Sequence, residues 1–305
     1  MISPVLFLIF KRAETTKKVF ERIKEAKPPK LYIAADGPRR DRPEEVAKCV
    51  ETRKIVENID WPCEVYRLYR EENLGCGKGV SSALDWFFDN EEQGIIIEDD
   101  ILPNIDFFKY CDEMLELYKN DERIQLITGR NAFFEEYKSN YSYYLSILFH
   151  IWGWASWRRV WKTYHFETSE LSMDVFKERL LNRGGSPKMH KYWIDVFKMM
   201  QNNPIDTWDY QLYFNEVFFN RYSIVPYINM TENIGFNSID AAHTILDTSK
   251  EANHRAQSPY PLSHPSVVSL DMGADNVFAM NFGFVKLTLC ERIIRKLKKV
   301  FRKKN

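Results

Sequence analysis

Long apolar runs are scarce in this sequence. Stretches such as Val5–Phe10 and Gly94–Ile97 stop well short of the roughly 20 residues that a membrane-crossing helix needs, so no spanning segment is expected. Val5–Phe10 also lacks a preceding positive residue and a small-residue cleavage site, which sets it apart from a secretory signal and leaves a buried strand. Cysteine is sparse: Cys49, Cys63, Cys76, Cys111 and Cys290 are odd in number, scattered, and form no CxxC pair. That argues against a disulfide framework and a structural zinc site, and a reducing, cytoplasmic setting is the expectation. Internal repeats, low-complexity tracts and net charge are all missing, the 43 basic residues matching the 43 acidic ones. Core material, in contrast, is plentiful. With 45% hydrophobic against 28% charged residues over 305 positions, a folded chain of about two domains' length is expected rather than disorder.

The neutral total conceals a division. From Glu291 to Asn305 there are eight basic residues and one acidic, a surplus of seven positive charges, so the body before it carries an equal negative surplus. A mildly acidic body argues against nucleic acid as a partner, because phosphate binding needs a basic surface on the folded part. Within the tail, Ile293, Ile294, Leu297, Val300 and Phe301 fall on one face of a helix, with the cations on the other. An apolar face backed by cations suits a helix lying in an anionic membrane surface. A solvated basic helix packing its apolar stripe on the domain is the alternative. The membrane reading makes the protein peripheral on the inner face of the cell membrane.

Strand-like and helix-like segments alternate through the first half. Strands are expected at Ile2–Phe10, Leu31–Ala35, Cys63–Tyr69, Gly94–Ile97 and Arg123–Thr128. Helices are expected at Ala13–Ala26, Glu44–Ile59, Gly79–Phe88 and Ile105–Tyr118. This order implies an α/β fold with a mostly parallel sheet flanked by helices, in which ligands bind beyond the carboxyl ends of the strands. The second half is rich in aromatic residues and has longer helical stretches at Ser169–Leu181, Met189–Met200 and Tyr210–Asn220. Short strands follow at Ser223–Pro226 and Ile228–Thr231, then a Ser-, Pro- and Asn-rich loop or lid from Ala241 to Pro265. The expected plan is a nucleotide-type sheet over residues 1–135, an aromatic substrate-binding half of the same domain over 136–283, and a basic amphipathic tail over 284–305.

The stretch Gly94-Ile-Ile-Ile-Glu98-Asp99-Asp100 carries the most chemistry. Three consecutive carboxylates directly after a buried strand repel one another and are costly to desolvate, so a positive partner is required. A divalent cation with a preference for oxygen is the simplest one. Strand alternation sends Glu98 and Asp100 to one side and Asp99 to the other. A helix N-terminus, which also favours acidic residues, is the competing explanation.

A strand ending in an acidic triplet, followed by Pro103 and a helix with Asp106-Phe107-Phe108, resembles the DxD-type motif of GT-A fold sugar-nucleotide glycosyltransferases. The form Glu98-Asp99-Asp100 is similar to that of the Golgi N-acetylglucosaminyltransferase type and related bacterial transferases. Other blocks follow in the same order over roughly residues 2 to 244. They are Arg12 after the first strand, Asp36 in Ala34-Ala-Asp36-Gly37, the segment Ile151-Trp152-Gly153-Trp154 with the helix after it, Thr207-Trp208-Asp209-Tyr210, and Asn233-Ile-Gly235 leading to His243-Thr244. The resemblance implies a Rossmann-like GT-A sheet with an aromatic-rich acceptor half, and a Mn²⁺ or Mg²⁺ cofactor.

By that resemblance Asp100 is a metal ligand and His243 a second one, although a structural histidine fits His243 equally. Arg12 lies near the nucleotide, Asp36 receives a uracil ring, and Asp99 and Glu98 contact ribose or the donor sugar. Asp209 is the general base, or else an N-cap of the helix it precedes. Lys78 in Asn73-Leu-Gly75-Cys-Gly77-Lys78-Gly79 could face the diphosphate, although the spacing is not that of a Walker loop and solvated lysine is the default. Trp154, in the cluster with Trp152 and Trp157, could stack on a sugar, while Trp157 and Trp161 read as core. The implied function is a metal-dependent inverting glycosyltransferase that takes a nucleotide-sugar donor, with UDP the favoured nucleotide, and a glycan or lipid-linked glycan acceptor. The alternatives are a sugar-1-phosphate nucleotidyltransferase, which usually needs a Gly-rich basic loop after the first strand that Phe10-Lys-Arg-Ala-Glu14 lacks, and an inactive sugar-nucleotide- or glycan-binding protein.

Overall fold

Alternating burial on the two faces of each apolar strand decides how the layers stack. In the computed structural model, which describes residues 2–131, 133, 135–235 and 255–284, the elements in chain order are β1 (Val5–Ile9), α1 (Ala13–Ala26), β2 (Lys30–Ala35), α2 (Glu44–Ile55), β3 (Glu64–Tyr69), α3 (Gly75–Asn90), β4 (Gln93–Glu98), β5 (Ile101–Pro103), α4 (Asp106–Leu117), β6 (Ile124–Thr128), β7 (Tyr143–Ser146), β8 (Trp154–Trp157), α5 (Arg158–Trp161), α6 (Met173–Asn182), α7 (Pro187–Asn202), α8 (Asp209–Phe218), β9 (Tyr222–Pro226), β10 (Thr231–Asn233) and α9 (Met272–Asn281). Odd residues of β1 (Val5, Phe7, Ile9) pack with Val19, Phe20 and Ile23 of α1 and with the α4 face around Phe107, Phe108 and Met114. Its even residues, Leu6 and Leu8, pack with Ala83, Leu84, Phe87 and Phe88 of α3 and with Trp154, Trp208 and Leu212. A period of two on the strand therefore gives a helix layer on each side.

The main sheet has eight strands in the order β3-β2-β1-β4-β8-β6-β9-β7. Six run in one direction, and β8 and β7 run against them. This is a mixed α/β, Rossmann-like architecture with a mostly parallel sheet between helices. A second, two-stranded sheet pairs β10 antiparallel with β5. β3 forms one edge, and its exposed Glu64 and Arg67 keep that edge from being a sticky template.

Helices of the second half begin where their sequence dictates. Ser172 accepts a bond from Val175 N at 3.3 Å to start α6, and Ser186 accepts one from Met189 N at 3.2 Å to start α7, with Pro187 in the first turn. Their apolar faces meet α8 in a cluster around Phe176, Phe197 and Phe214.

Several elements differ from expectation. The segments β7 and β8 enter the main sheet, β8 between β4 and β6, so the aromatic half is woven into the first half's sheet. Trp157 ends that strand, and the short helix α5 begins only at Arg158. Of the strand expected at Ile228–Thr231, only Thr231 lies in a strand, β10. Within the Ala241–Pro265 loop, the described residues from 255 onward hold no helix or strand, while α9 beyond it was unforeseen. The basic tail beyond Phe284 lies outside the described residues.

Candidate active site

The carboxyl ends of β1, β2 and β4 finish level with one another. Leu8 stands opposite both Ala34 and Glu98, and Ile9 opposite Ala35. The next residues, Phe10, Asp36 and Asp99, consequently emerge side by side. Asp36 N donates to Ile9 O at 3.3 Å, and Phe10 N to Asp99 Oδ2 at 3.0 Å.

At the end of β4 the expected alternation fails. The strand stops at Glu98, and Asp99 and Asp100 form a turn before β5, so both carboxylates swing toward one cation. Arg12 Nη1 lies 2.5 Å from Asp100 Oδ2 and 3.7 Å from Asp99 Oδ1. Asp99 and Asp100 are only 7% and 8% exposed, so these charges are felt at low dielectric. Burial alone would lower the Arg12 pKa, but Asp100 and Asp99 raise it. Burial, then Asp100, Asp99 and Asp209, push Glu98 up, with Arg12 opposing. Asp99 is pushed up by burial and Asp100 against the pull of Arg12 and of the Phe10 amide. One guanidinium does not balance three carboxylates.

Gly235 covers this turn. Ile234 N donates to Asp100 O at 2.8 Å, and a Cβ on Gly235 would stand 2.4 Å from Asp100 Oδ2, so glycine is what lets the chain leaving β10 pass this close. The block expected to close the site thus reaches Asp100. His243 lies outside the described residues.

The helix α3 joins the two halves of the site. It has no side-chain cap of its own at Leu74, so its first amides take acceptors from elsewhere. Asp36 accepts from Leu74 N at 3.1 Å, Gly37 N at 3.0 Å and Asn73 Nδ2 at 2.9 Å. Burial raises the Asp36 pKa, opposed by the Leu74 and Gly37 amides and by Arg70. On the other side, Asp206 accepts from Cys76 N at 2.9 Å and Gly77 N at 2.7 Å. Three residues later Asp209 opens α8. Its Oδ1 accepts from Thr207 Oγ1 and, at 3.0 Å, from Tyr210 N, while among the described residues Oδ2 takes no hydrogen bond. The Cys76 thiol is pushed up to about 12 by burial and then by Glu98, Asp206, Asp209 and Asp36, which places all four carboxylates within electrostatic reach of one sulfur.

The remaining candidates separate. Lys78 sits exposed in the first turn of α3. Trp154 is 1% exposed and stacks on Trp208 with centroids 5.7 Å apart, so the expectation of a sugar platform is corrected: its ring is core, and what it supports is the residue before Asp209. Trp157 and Trp161 are buried as core. Asp206 went unread in the sequence, and Thr207 was read only as part of the Trp208-Asp209 block, although the signal was present: a glycine-rich helix start with no capping residue needs an acceptor from another segment.

In charge and atom type the triplet fits a hard divalent cation, since carboxylate oxygens with one guanidinium partner among the described residues leave negative charge uncompensated. Among the described residues no three His, Cys, Asp or Glu side chains converge as a metal site.

No protein-family model matches the chain, and no curated protein matches its sequence. Solved structures do resemble it in part. The UDP-glucose pyrophosphorylase complexed with UDP-glucose is 10% identical, with 77% of this chain and 94% of that one covered at a TM-score of 0.37. HddC from Yersinia pseudotuberculosis is 10% identical over 54% of this chain and 81% of that one, at 0.32. TarS 1-349 from S. aureus is 11% identical over 55% and 52%, at 0.35. None of these three is the Golgi enzyme. Likeness at this distance leaves the function to be read from the site itself.

Proposed function

We propose that this protein is a GT-A type, metal-dependent inverting glycosyltransferase that moves a sugar from a nucleotide diphosphate, UDP by preference, to a hydroxyl of a glycan or lipid-linked glycan. One observation carries the reading: the start of α3 is held on one side by Asp36, which emerges from the sheet beside the acidic turn, and on the other by Asp206, three residues before the half-buried Asp209, whose Oδ2 takes no hydrogen bond among the described residues. A donor-holding cluster and a base brought to one end of the sheet are what in-line displacement requires.

Asp100 would hold Mn²⁺ or Mg²⁺, with His243 a further candidate ligand, and Asp99 would contact the ribose or the donor sugar. The cation, when bound, stabilises the charge of the departing diphosphate. Arg12 neutralises the same phosphates and orients Asp100. Glu98 accepts from hydroxyls of the donor sugar, and Asp36 fixes the loop against which the base of the nucleotide lies, with Lys78 near the phosphates. Asp209 Oδ2 takes the proton of the acceptor hydroxyl as that oxygen bonds to the anomeric carbon. The carbon–oxygen bond to the β-phosphate breaks, and its electron pair leaves with the nucleoside diphosphate. Attack opposite the leaving group inverts the anomeric centre.

The nucleotidyltransferase alternative shares the sheet and the acidic site. Only Phe10, Lys11 and Arg12 separate β1 from α1, a short connection for wrapping a triphosphate, which supports sugar transfer. The test incubates the protein with UDP-glucose, UDP-N-acetylglucosamine, UDP-galactose or GDP-mannose and Mn²⁺, and reads free nucleotide. Release of a nucleoside diphosphate that stops with EDTA and falls at least about 100-fold in Asp209→Asn is expected. Pyrophosphate release from UTP and a sugar 1-phosphate would instead establish the nucleotidyltransferase. Donor binding without turnover would indicate a binding protein.

The tail adds a location. We infer that its cations and apolar stripe hold the protein at an anionic membrane surface, where a lipid-linked acceptor resides.

A further inference from the structure

The contact between Asp206 and the start of α3 is built from both sides. Its carboxylate accepts two consecutive amides, Cys76 N at 2.9 Å and Gly77 N at 2.7 Å. The helix makes room for it with two glycines: a Cβ on Gly75 would stand 2.5 Å from Asp206 Oδ2, and one on Gly77 would stand 2.9 Å from Asp206 Oδ1 and from Thr207 O. Gly75 moreover has φ +82°, a conformation that side chains other than glycine's rarely adopt. The segment that Asp206 begins is held at each later residue. Thr207 O accepts from Gln211 Nε2 at 3.0 Å, Trp208 O accepts from Tyr164 Oη at 3.0 Å, and Thr207 Oγ1 holds Asp209. The same helix start receives Asp36 through Leu74 N.

We infer that Asp206 is a positioning residue: by clamping residues 206–209 to α3, it holds Asp209 in register with the strand ends that carry Asp36 and the acidic turn. The inference rests on the reading of Asp209 as the base. The clamp acts through Asp209 and touches no reacting atom, so losing it should lower turnover and leave donor affinity in place. A displacement of about 1 Å at a reacting group can cost on the order of 100-fold in rate.

The test compares wild type, Asp206→Ala, Asp206→Asn and Asp209→Asn in Mn²⁺-dependent hydrolysis of UDP-N-acetylglucosamine, with calorimetric titration of UDP in Mn²⁺ and amide hydrogen exchange alongside. In Asp206→Ala, kcat should fall about 10- to 100-fold with KM and UDP affinity within about threefold, and the Cys76 and Gly77 amides should exchange faster. Asp206→Asn keeps one acceptor oxygen and should recover part of the rate. Gly77→Ala, which pushes on the clamp from the helix side, should reproduce the same split between kcat and KM. A kcat for Asp206→Ala within twofold of wild type, with Asp209→Asn inactive, overturns the clamp and leaves the base reading standing. Wild-type turnover in Asp209→Asn overturns the base reading, and the positioning role falls with it.

Discussion

Glu45 is an acid in the first turn of α2 that turns inward, 1% exposed, between two cations from different loops. Lys11 Nζ, after β1, lies 2.7 Å from its Oε1, and Arg39, after β2, bonds it through Nε at 3.0 Å and through its backbone N at 3.2 Å. Arg39 chiefly, with Lys11 and against the cost of burial, brings the Glu45 pKa down to about 2. A depressed carboxylate contributes stability that is present above its unfolded pKa near 4.5 and is lost as pH falls through 2. Asp36 and Arg12 leave the same strand ends, so Glu45 also ties down the two loops that carry them. Glu45→Gln should cost about 2–3 kcal/mol at pH 7, discounted for the part of Arg39 that stays in water. Its unfolding midpoint should converge on that of wild type between pH 4.5 and 2. Denaturant titrations at several pH values check this, and a constant difference down to pH 2 would refute it. The pairing was not legible beforehand, because charges in two loops and a helix meet only once the sheet aligns them. The acidic triplet was legible as a cluster, but its turn, and hence the shared approach of Asp99 and Asp100 to Arg12, was not.

Elements were legible where pattern and burial coincide. In α1 the buried Thr16, Val19, Phe20 and Ile23 repeat at helical spacing, and the expected bounds Ala13–Ala26 are those found. β7 and β8 escaped because each has four residues, all buried on both faces, so neither alternation nor length marks them as strands. α9 escaped for a different reason: it buries small residues and a carboxylate, Ala274, Asp275 and Ala279, instead of an apolar stripe. β8 nonetheless governs the site, because Trp154 stacks on Trp208 and so braces the start of α8. Trp154→Ala should destabilise by about 3–5 kcal/mol through the cavity it opens. The Trp154 Nε1 meets no acceptor among the described residues, so Trp154→Phe removes an unpaired donor along with the bulk. Its cost should be under about 2 kcal/mol, and kcat should be spared relative to Trp154→Ala. Equal losses for the two variants, in calorimetry and in donor turnover, would show that the stack does not brace α8.

At the scale of the whole molecule, charge is sorted along the chain: a body with seven more acids than bases, and a tail from Glu291 with the opposite surplus. Among the described residues no helix is long and apolar enough to cross a membrane. Near an anionic surface each tail Lys or Arg contributes about 1 kcal/mol, and these eight are joined by Ile293, Ile294, Leu297, Val300 and Phe301. The acidic body is repelled by the same surface, which would orient the molecule tail-first. Binding should therefore need both negative lipid and the tail, and should weaken steeply with salt as the Debye length falls from about 10 Å at 0.1 M to about 3 Å at 1 M. Co-sedimentation compares the full chain with a chain ending at Leu289, on vesicles with and without phosphatidylglycerol. The full chain should pellet with the anionic vesicles at 0.1 M NaCl and leave them in high salt, while the shortened chain stays in solution. Replacing Leu297 and Phe301 by serine, with all eight cations kept, should weaken binding at least tenfold if the apolar face inserts. Pelleting of the shortened chain to the same extent would place the membrane contact on the body and remove the tail from the account.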